Sequence, residues 1–483
     1  MDGVDMNEKQ LIDELLDIPE ENQTMEFKRL AGEKVVKKII QTIVAFTNTD
    51  GGRIIIGIDD PEKTTKKGID RIYGIEENRE LFDEVIREIH RISPPLSTVG
   101  KPVLIKCENG KEVAIIKVPK STLAFRSIDN TVFVRLFKGN KRLTPDEIVK
   151  MSYAKGFNKA DKELVEVDFN LLKTEYYDQW RIKRNINGTD IEDILFKTGL
   201  ARKNKDGHLK PTRAAVLLFA EYPTNIMDTK CTIRVIQYAG TVENFRSTPN
   251  MVGLPKTIEG PIISLIKNTH EYVLTLLRSG IKIHSGFINK YKIPERAIKE
   301  TITNAVIHRD YYIKRDIEIK IFEDRIHIVS PGLFPYNITA SNIGYVRSEG
   351  YRNDLLVKHL REFPNPPNLD QNEGVQAIRN EMDASGLYPP IYISYPILDD
   401  SVSVVLLNEH RPDEWEKTRD YLLQNKYIAN SKAREITGIK QIDKMSKLLS
   451  RWVKQGLLIK IEPETGGTKS IKYKLTNSNS IDE

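Results

Sequence analysis

Ala45-Phe46-Thr47-Asn48-Thr49-Asp50-Gly51-Gly52-Arg53-Ile54-Ile55-Ile56-Gly57-Ile58-Asp59-Asp60 is the stretch on which the fold turns. Its Asn-Thr-Asp-Gly-Gly centre is a dense turn signal, and the short β-branched run that follows reads as a buried strand with Asp59 and Asp60 at its end. Upstream, Val35, Val36, Ile39, Ile40, Ile43 and Val44 recur at helical spacing over 33–47, opposite a lysine-rich face. Downstream, Val103–Ile105, Val113–Val118 and Thr131–Leu136 read as further strands of the same sheet, closed by a helix over 143–151. The first 155 residues are thus predicted to form an α+β unit.

The whole chain has 483 residues, several times an ordinary domain, with 39% hydrophobic and 29% charged residues. That balance predicts several globular domains rather than a disordered or fibrous chain. Residues 156–260 read as a connecting α/β segment with strands at 215–219 and 232–238. Residues 261–410 alternate helices (261–279, 294–308) with strands (316–322, 325–329, 402–407). Residues 411–483 give helices followed by a β-hairpin turning at 464–467, the order of a winged helix-turn-helix.

The longest apolar run, 214–220, is far too short to cross a bilayer, and the first residues lack the pattern of a secretion signal, so a cytoplasmic protein is expected. Cys107 and Cys231, the only cysteines, support neither a disulfide framework nor a thiolate zinc site. The net charge of +6 says little by itself, but 415–475 holds 14 Lys/Arg against 6 Asp/Glu, more than the excess of the whole chain. Such a concentration is the footprint expected of phosphate binding. Over 441–453 an apolar stripe of Met445, Leu448, Leu449, Trp452 and Val453 is opposed by Lys440, Lys444, Lys447, Arg451 and Lys454, the candidate nucleic-acid contacts. The alternative is a winged helix that contacts protein, its lysines serving solubility.

Two acidic and polar patterns carry chemistry. Glu21 and Glu26 lie five apart, and Asp60 follows the Gly-Gly turn; three carboxylates suit Mg²⁺ or Mn²⁺, with Lys28 and Arg29 beside them to neutralise a phosphate. From spacing alone they read as solvated carboxylates and a turn residue. Glu300, Asn304 and His308 recur at i, i+4, i+8 and share one helix face, which periodicity alone leaves as a solvated face.

The run Glu21-Asn22-Gln23-Thr24-Met25-Glu26-Phe27-Lys28-Arg29-Leu30, with the turn and strand quoted first, resembles the Schlafen, or AlbA_2, pattern over roughly 16–151. That resemblance implies an α+β lobe and, in its nuclease-active members, a metal-dependent ribonuclease site for structured RNA such as tRNA. Glu21, Glu26 and Asp60 are the implied metal and catalytic residues, with Lys28 beside them. Many bacterial AlbA_2 proteins are DNA-binding instead. Animal Schlafens pair two such lobes and carry a zinc site. This sequence has one lobe, so a homo-oligomer, at least a dimer, is expected.

The helix ending Asn304-Ala305-Val306-Ile307-His308-Arg309-Asp310 resembles the N-box of GHKL-type ATP-binding domains, in the RecG-labelled variant, which implies an α/β sandwich. Glu300 and Asn304 then acquire nucleotide- and Mg²⁺-handling roles, with His308, Ser330, Gly332 and Gly374 as further nucleotide-site candidates and ATP as the implied ligand. Ser330 stands where catalytic relatives have aspartate, and Glu373-Gly374-Val375 matches the lid box without its first glycine. No P-loop run is present, and Gly466-Gly467-Thr468-Lys469-Ser470 has the wrong spacing, so helicase chemistry is not expected.

The leading expectation is an α+β multidomain, metal-dependent endoribonuclease, suited by analogy to phage defence. The alternatives are a DNA-binding transcriptional regulator whose middle domain senses a nucleotide, and a structural assembly protein without salt-dependent nucleic-acid affinity.

Overall fold

The computed structural model describes residues 8–96, 102–227, 229–244, 250–279, 281–282, 288–289, 291–367, 374–461 and 471–476. It divides into two compact units, 1–152 and 153–482.

In the first unit a four-stranded sheet runs in the order β1 (Met25–Lys28), β2 (Gly52–Ile56), β4 (Glu112–Val118), β3 (Val103–Lys106). β1 and β2 are parallel, pairing Glu26 with Ile54 and Lys28 with Ile56, and the other two pairings are antiparallel. The helix Lys34–Thr47 forms the parallel crossover: Val36, Ile39, Ile40, Ile43 and Val44 are buried against Ile54, Ile56, Ala114 and Ile116, while Lys34, Lys37 and Lys38 stay exposed.

The turn that ends this helix does more than reverse the chain. Gly51 has φ +76°, a left-handed conformation that glycine takes without strain, and a Cβ on Gly52 would lie 2.6 Å from the carbonyl oxygen of Thr24. Asn48, fully buried, donates to the carbonyls of Arg126 and Phe133 at 2.7 and 2.9 Å and accepts from the Arg126 N–H at 2.7 Å. The Thr49 hydroxyl accepts from the Arg135 N–H at 2.8 Å and donates to Ala45 O at 2.7 Å. Asn48 and Thr49 therefore grip β5 (Phe133–Leu136), which pairs with β6 (Gly139–Arg142) as a separate two-stranded hairpin rather than extending the main sheet as the sequence suggested.

The second unit is built on a six-stranded sheet in the order Lys256–Ile258, Ile233–Gln237, Ile317–Ile321, Arg325–Pro331, Ser401–Leu407, Ile391–Ile393. Two of these strands come from the segment expected to be a connection, 156–260, and Trp180, Leu195 and Leu217 from the same segment join one core with Ile302, Ile319 and Ile328. The apolar run expected as a strand at 215–219 is the helix Arg213–Phe219. Its residues are buried on every side, which erases any periodicity, and the Thr212 hydroxyl caps it by accepting from the Ala215 N–H.

The C-terminal part has the helices Asp413–Gln424, Asn430–Thr437 and Ile442–Lys454, with a small sheet of Ile428–Ala429, Lys472–Leu475 and Leu458–Ile461. Gly438, at φ +77°, caps the middle helix. Met445, Leu449 and Trp452 are buried as the stripe predicts. They share one core with Ile391, Val405 and Leu407 of the large sheet, and Trp452 Nε1 donates to the Tyr388 hydroxyl at 3.1 Å. Residues 464–467, the expected hairpin turn, lie outside the described residues, as do 466–470 and Glu373.

Candidate functional site

β1 carries Glu26 and Lys28 on one face and Met25 and Phe27 on the other, since successive strand residues alternate. Glu21 precedes the strand through a tight loop and turns back: its Oε1 accepts from the Phe27 N–H at 2.9 Å and from Lys28 Nζ at 3.3 Å. Asp60, just beyond β2, accepts from the Glu62 N–H at 3.1 Å and is paired with Lys63. All three carboxylates are buried, at 4, 5 and 7% exposure. Carboxylates so buried demand compensation.

The compensation is cationic. Lys28 pairs with both Glu21 and Glu26, and Arg135 Nη2 stands 2.6 Å from Glu26 Oε2. Burial pushes the Glu21 carboxyl above its ordinary range; Lys28 opposes this, and the charges of Glu26 and Asp60 add to it. The three acids thus feel one another. The Lys63 ammonium, in turn, is raised first by its hydrogen bond to Asp60, against its desolvation, and further by the charges of Asp60, Glu21 and Glu26.

Among the described residues no three His, Cys, Asp or Glu side chains stand gathered to hold a metal ion, and the acids are instead paired with Lys28, Arg135 and Lys63. The donor set is nonetheless that of a hard divalent cation, all carboxylate oxygen. Glu26 Oε2 is buried and its partner is the Arg135 guanidinium at 2.6 Å.

Arg29 does not face the cluster. Its guanidinium is held by Glu77 at 2.6 to 3.0 Å and lies 3.4 Å above the Tyr73 ring, so the phosphate role expected for it is taken up by structure. Sequence reading passed over Arg135, Lys63 and Lys138. An arginine within the β-branched run Val132-Phe133-Val134-Arg135 was the available signal for the first.

In the second unit the helix Glu295–His308 turns Glu300, Asn304 and His308 into a cavity of about 790 Å³ instead of solvent. Asn304 Nδ2 and His308 Nδ1 are buried there without hydrogen-bond partners among the described residues. Burial and the Arg352 charge lower His308 to about 4, so its imidazole is neutral at pH 7. Burial raises the Glu300 carboxyl, with Lys299 and Arg296 opposing. Gly374 closes in tightly, since a Cβ there would meet Glu300 Oε2 at 2.9 Å and Asn304 Nδ2 at 3.3 Å. Ser330 and Gly332 also line the cavity; the Ser330 hydroxyl donates to Ala305 O at 2.8 Å, and Gly332 packs against Arg352. A hydroxyl spent on the helix backbone does not replace an adenine-reading carboxylate.

On the winged helix, Lys440, Lys444, Lys447 and Lys454 are exposed, with Lys440 in the turn before the helix Ile442–Lys454. Arg451 is ion-paired with Glu409, which removes it from the free cations of that face.

Residues 21–144, from the first of the three acids to beyond the hairpin, match the family described as Schlafen, AlbA_2. The chain carries a Schlafen AlbA_2 domain. Residues 314–406 match the family described as "Putative ATP-dependent DNA helicase recG C-terminal", a span that takes in four strands of the large sheet but begins after the helix of Glu300 and Asn304. The AlbA_2 family points to nucleic-acid binding, and the second match to an ATPase-like domain that supports ATP binding. No curated protein matches the sequence. Among solved structures, the DIP2311 protein of Corynebacterium diphtheriae is 16% identical, aligned over 94% of this chain and 95% of that one at a TM-score of 0.39. Among the described residues no helix is long and apolar enough to cross a membrane.

Proposed function

We propose that the AlbA_2 domain is a metal-dependent endoribonuclease acting on structured RNA of the tRNA kind, with Glu21, Glu26 and Asp60 as the ligands of Mg²⁺ or Mn²⁺. The observation that carries this reading is the burial of three carboxylates, each paired with a cation, with the charges of Glu26 and Asp60 both acting on Glu21. A fold that needed these positions for packing alone is better served by apolar residues, since buried ion clusters rarely repay their desolvation. When bound, a divalent ion supplies Lewis-acid polarisation of the phosphate and a more acidic water. Lys28, now shared by Glu21 and Glu26, is the residue set to neutralise the scissile phosphate. The exposed lysines of the winged helix offer a phosphate-contacting face of their own.

The cavity lined by Glu300, Asn304 and His308 takes ATP as a sensed ligand, with Asn304 Nδ2 and His308 Nδ1 offering unmet polar atoms. A second copy of the chain supplies the second lobe of an RNA clamp, and phage defence is the setting such an activity suits. Incubating the protein with tRNA and Mn²⁺ tests the assignment: cleavage by the parent and none by Glu26→Ala supports it, and equal cleavage by both, or none by either, removes it.

A second reading, a DNA-binding regulator without cleavage, is favoured by the lysines that already neutralise the acids. It predicts footprinting of a DNA site with no strand scission.

A further inference from the structure

We propose that the tip of the β5–β6 hairpin is a nucleobase-stacking platform, with the Phe137 ring taking an unpaired base next to the carboxylate cluster. The inference rests on the nuclease reading and names the feature of the RNA that the site selects. Phe137 is 53% exposed and belongs to no hydrophobic cluster among the described residues, so its ring does not serve the core. It also sits at φ +52°, a left-handed conformation that disfavours any residue bearing a side chain. A turn that asks for glycine instead presents an aromatic face to solvent.

The backbone that carries the ring is anchored to residues of the acidic cluster's neighbourhood. The Phe137 N–H donates to Gln23 Oε1 at 2.8 Å, its carbonyl accepts from Arg135 Nε at 2.9 Å, and Gln23 Nε2 donates to Arg135 O at 3.2 Å. Arg135, two residues before it, meets Glu26. Lys138, directly after it, meets Glu20 at 2.7 Å and Glu62 at 2.5 Å, and the Glu62 N–H bonds to Asp60. The platform is therefore tied through its neighbours to two of the three carboxylates.

The surroundings select the ligand. Lys138, the cation next to Phe137 in the chain, is already engaged by Glu20 and Glu62 and offers no free charge to a phosphate, so a neutral heterocycle lying flat is the group this surface accepts. Bases within a duplex are already stacked on one another, whereas unpaired bases in loops and bulges offer a free face to an aromatic side chain.

The test uses the full-length protein in EDTA, where no cleavage proceeds, and two labelled RNAs of equal length: a hairpin with an unpaired loop and a fully paired duplex. The parent is expected to prefer the loop RNA. Phe137→Gly is expected to weaken loop binding about tenfold with duplex binding unchanged, and to melt no lower than the parent, because glycine takes φ +52° without strain. Phe137→Trp is expected to keep the preference. Equal affinity of the parent and Phe137→Gly for the loop RNA, or a loss shared equally by both RNAs, overturns the platform. In a parallel Mn²⁺ reaction, tRNA cleavage lost in Glu26→Ala but undiminished in Phe137→Gly discards the platform alone. Cleavage undiminished in Glu26→Ala discards the nuclease reading, while the binding comparison still decides the platform.

Discussion

Arg135 Nη2 lies 2.6 Å from Glu26 Oε2, with both side chains almost wholly buried, so the hairpin that follows the main sheet is pinned to its first strand by a charge pair. The same guanidinium donates to the Asn22 carbonyl at 3.1 Å and the Phe137 carbonyl at 2.9 Å, which makes it the joint between acidic loop, strand and hairpin. Arg135→Leu leaves Glu26 beside only Lys28 and two carbonyls unmet. It is expected to destabilise the AlbA_2 domain by about 3–5 kcal/mol, and Glu26→Leu in the same chain to recover part of that. Denaturant unfolding measures both; a loss within error for the single variant contradicts the account.

Asp161 offers a pH test in the second unit. Its Oδ2 accepts from the Leu355 and Leu356 N–H groups, while Oδ1 is buried without a hydrogen-bond partner among the described residues. Burial raises its carboxyl from 3.8 to about 6, with the Leu356 hydrogen bond opposing, Asp354 adding to the rise, and Lys162 and Lys159 opposing. The folded state thus holds this proton more tightly than the unfolded chain. The contribution is complete below pH 3.8 and is lost as the pH rises through about 6. Asp161→Asn is expected to flatten the fall of the melting temperature across that window, and above it to be more stable than the parent by at most about 3 kcal/mol. Parallel melting curves across pH for the two proteins contradict this.

On the winged helix the free cations and the paired one should separate. Lys444→Ala and Lys447→Ala are each expected to weaken binding to all nucleic-acid sequences alike and to reduce the salt slope by about 1. Arg451→Ala, which removes a partner of Glu409, is expected to change the slope less. Titrations at several salt concentrations measure this, and an equal effect of Arg451 and Lys447 would show that the Glu409 pair opens on binding.

In the cavity, a methyl group on Gly374 would push aside Glu300 Oε2, 2.9 Å away, and press on Asn304 Nδ2 at 3.3 Å. Gly374→Ala is expected to lower ATP affinity at least about tenfold, since about 1.4 kcal/mol of displaced contact suffices for that, with a melting temperature close to that of the parent. Calorimetric titration checks it; unchanged affinity places the nucleotide elsewhere.

The sequence made legible what depends on local pattern. The Asn-Thr-Asp-Gly-Gly turn, the buried strand after it and the amphipathic helix before it all form as their spacing predicts. So does the buried stripe of the winged helix. What stayed hidden depends on partners distant in the chain. Asn48 and Thr49 read as turn residues, yet they hold a hairpin about 85 residues away through buried hydrogen bonds. The helix over 213–219 looked like a strand because burial on all sides leaves no polar face to reveal a period. Glu21, Glu26 and Asp60 were legible as acids of one neighbourhood, but the cations that neutralise them, Lys63 and Arg135, arrive from a loop and a hairpin that no motif marks.

The most direct measurement of the central claim is the paramagnetic resonance of Mn²⁺ titrated into the parent and into Glu26→Gln. The account predicts that the parent removes the signal of the free hydrated ion in stoichiometric proportion and that Glu26→Gln does so at least about tenfold more weakly. A free-ion signal untouched by the parent at millimolar manganese, or equal uptake by both proteins, contradicts it.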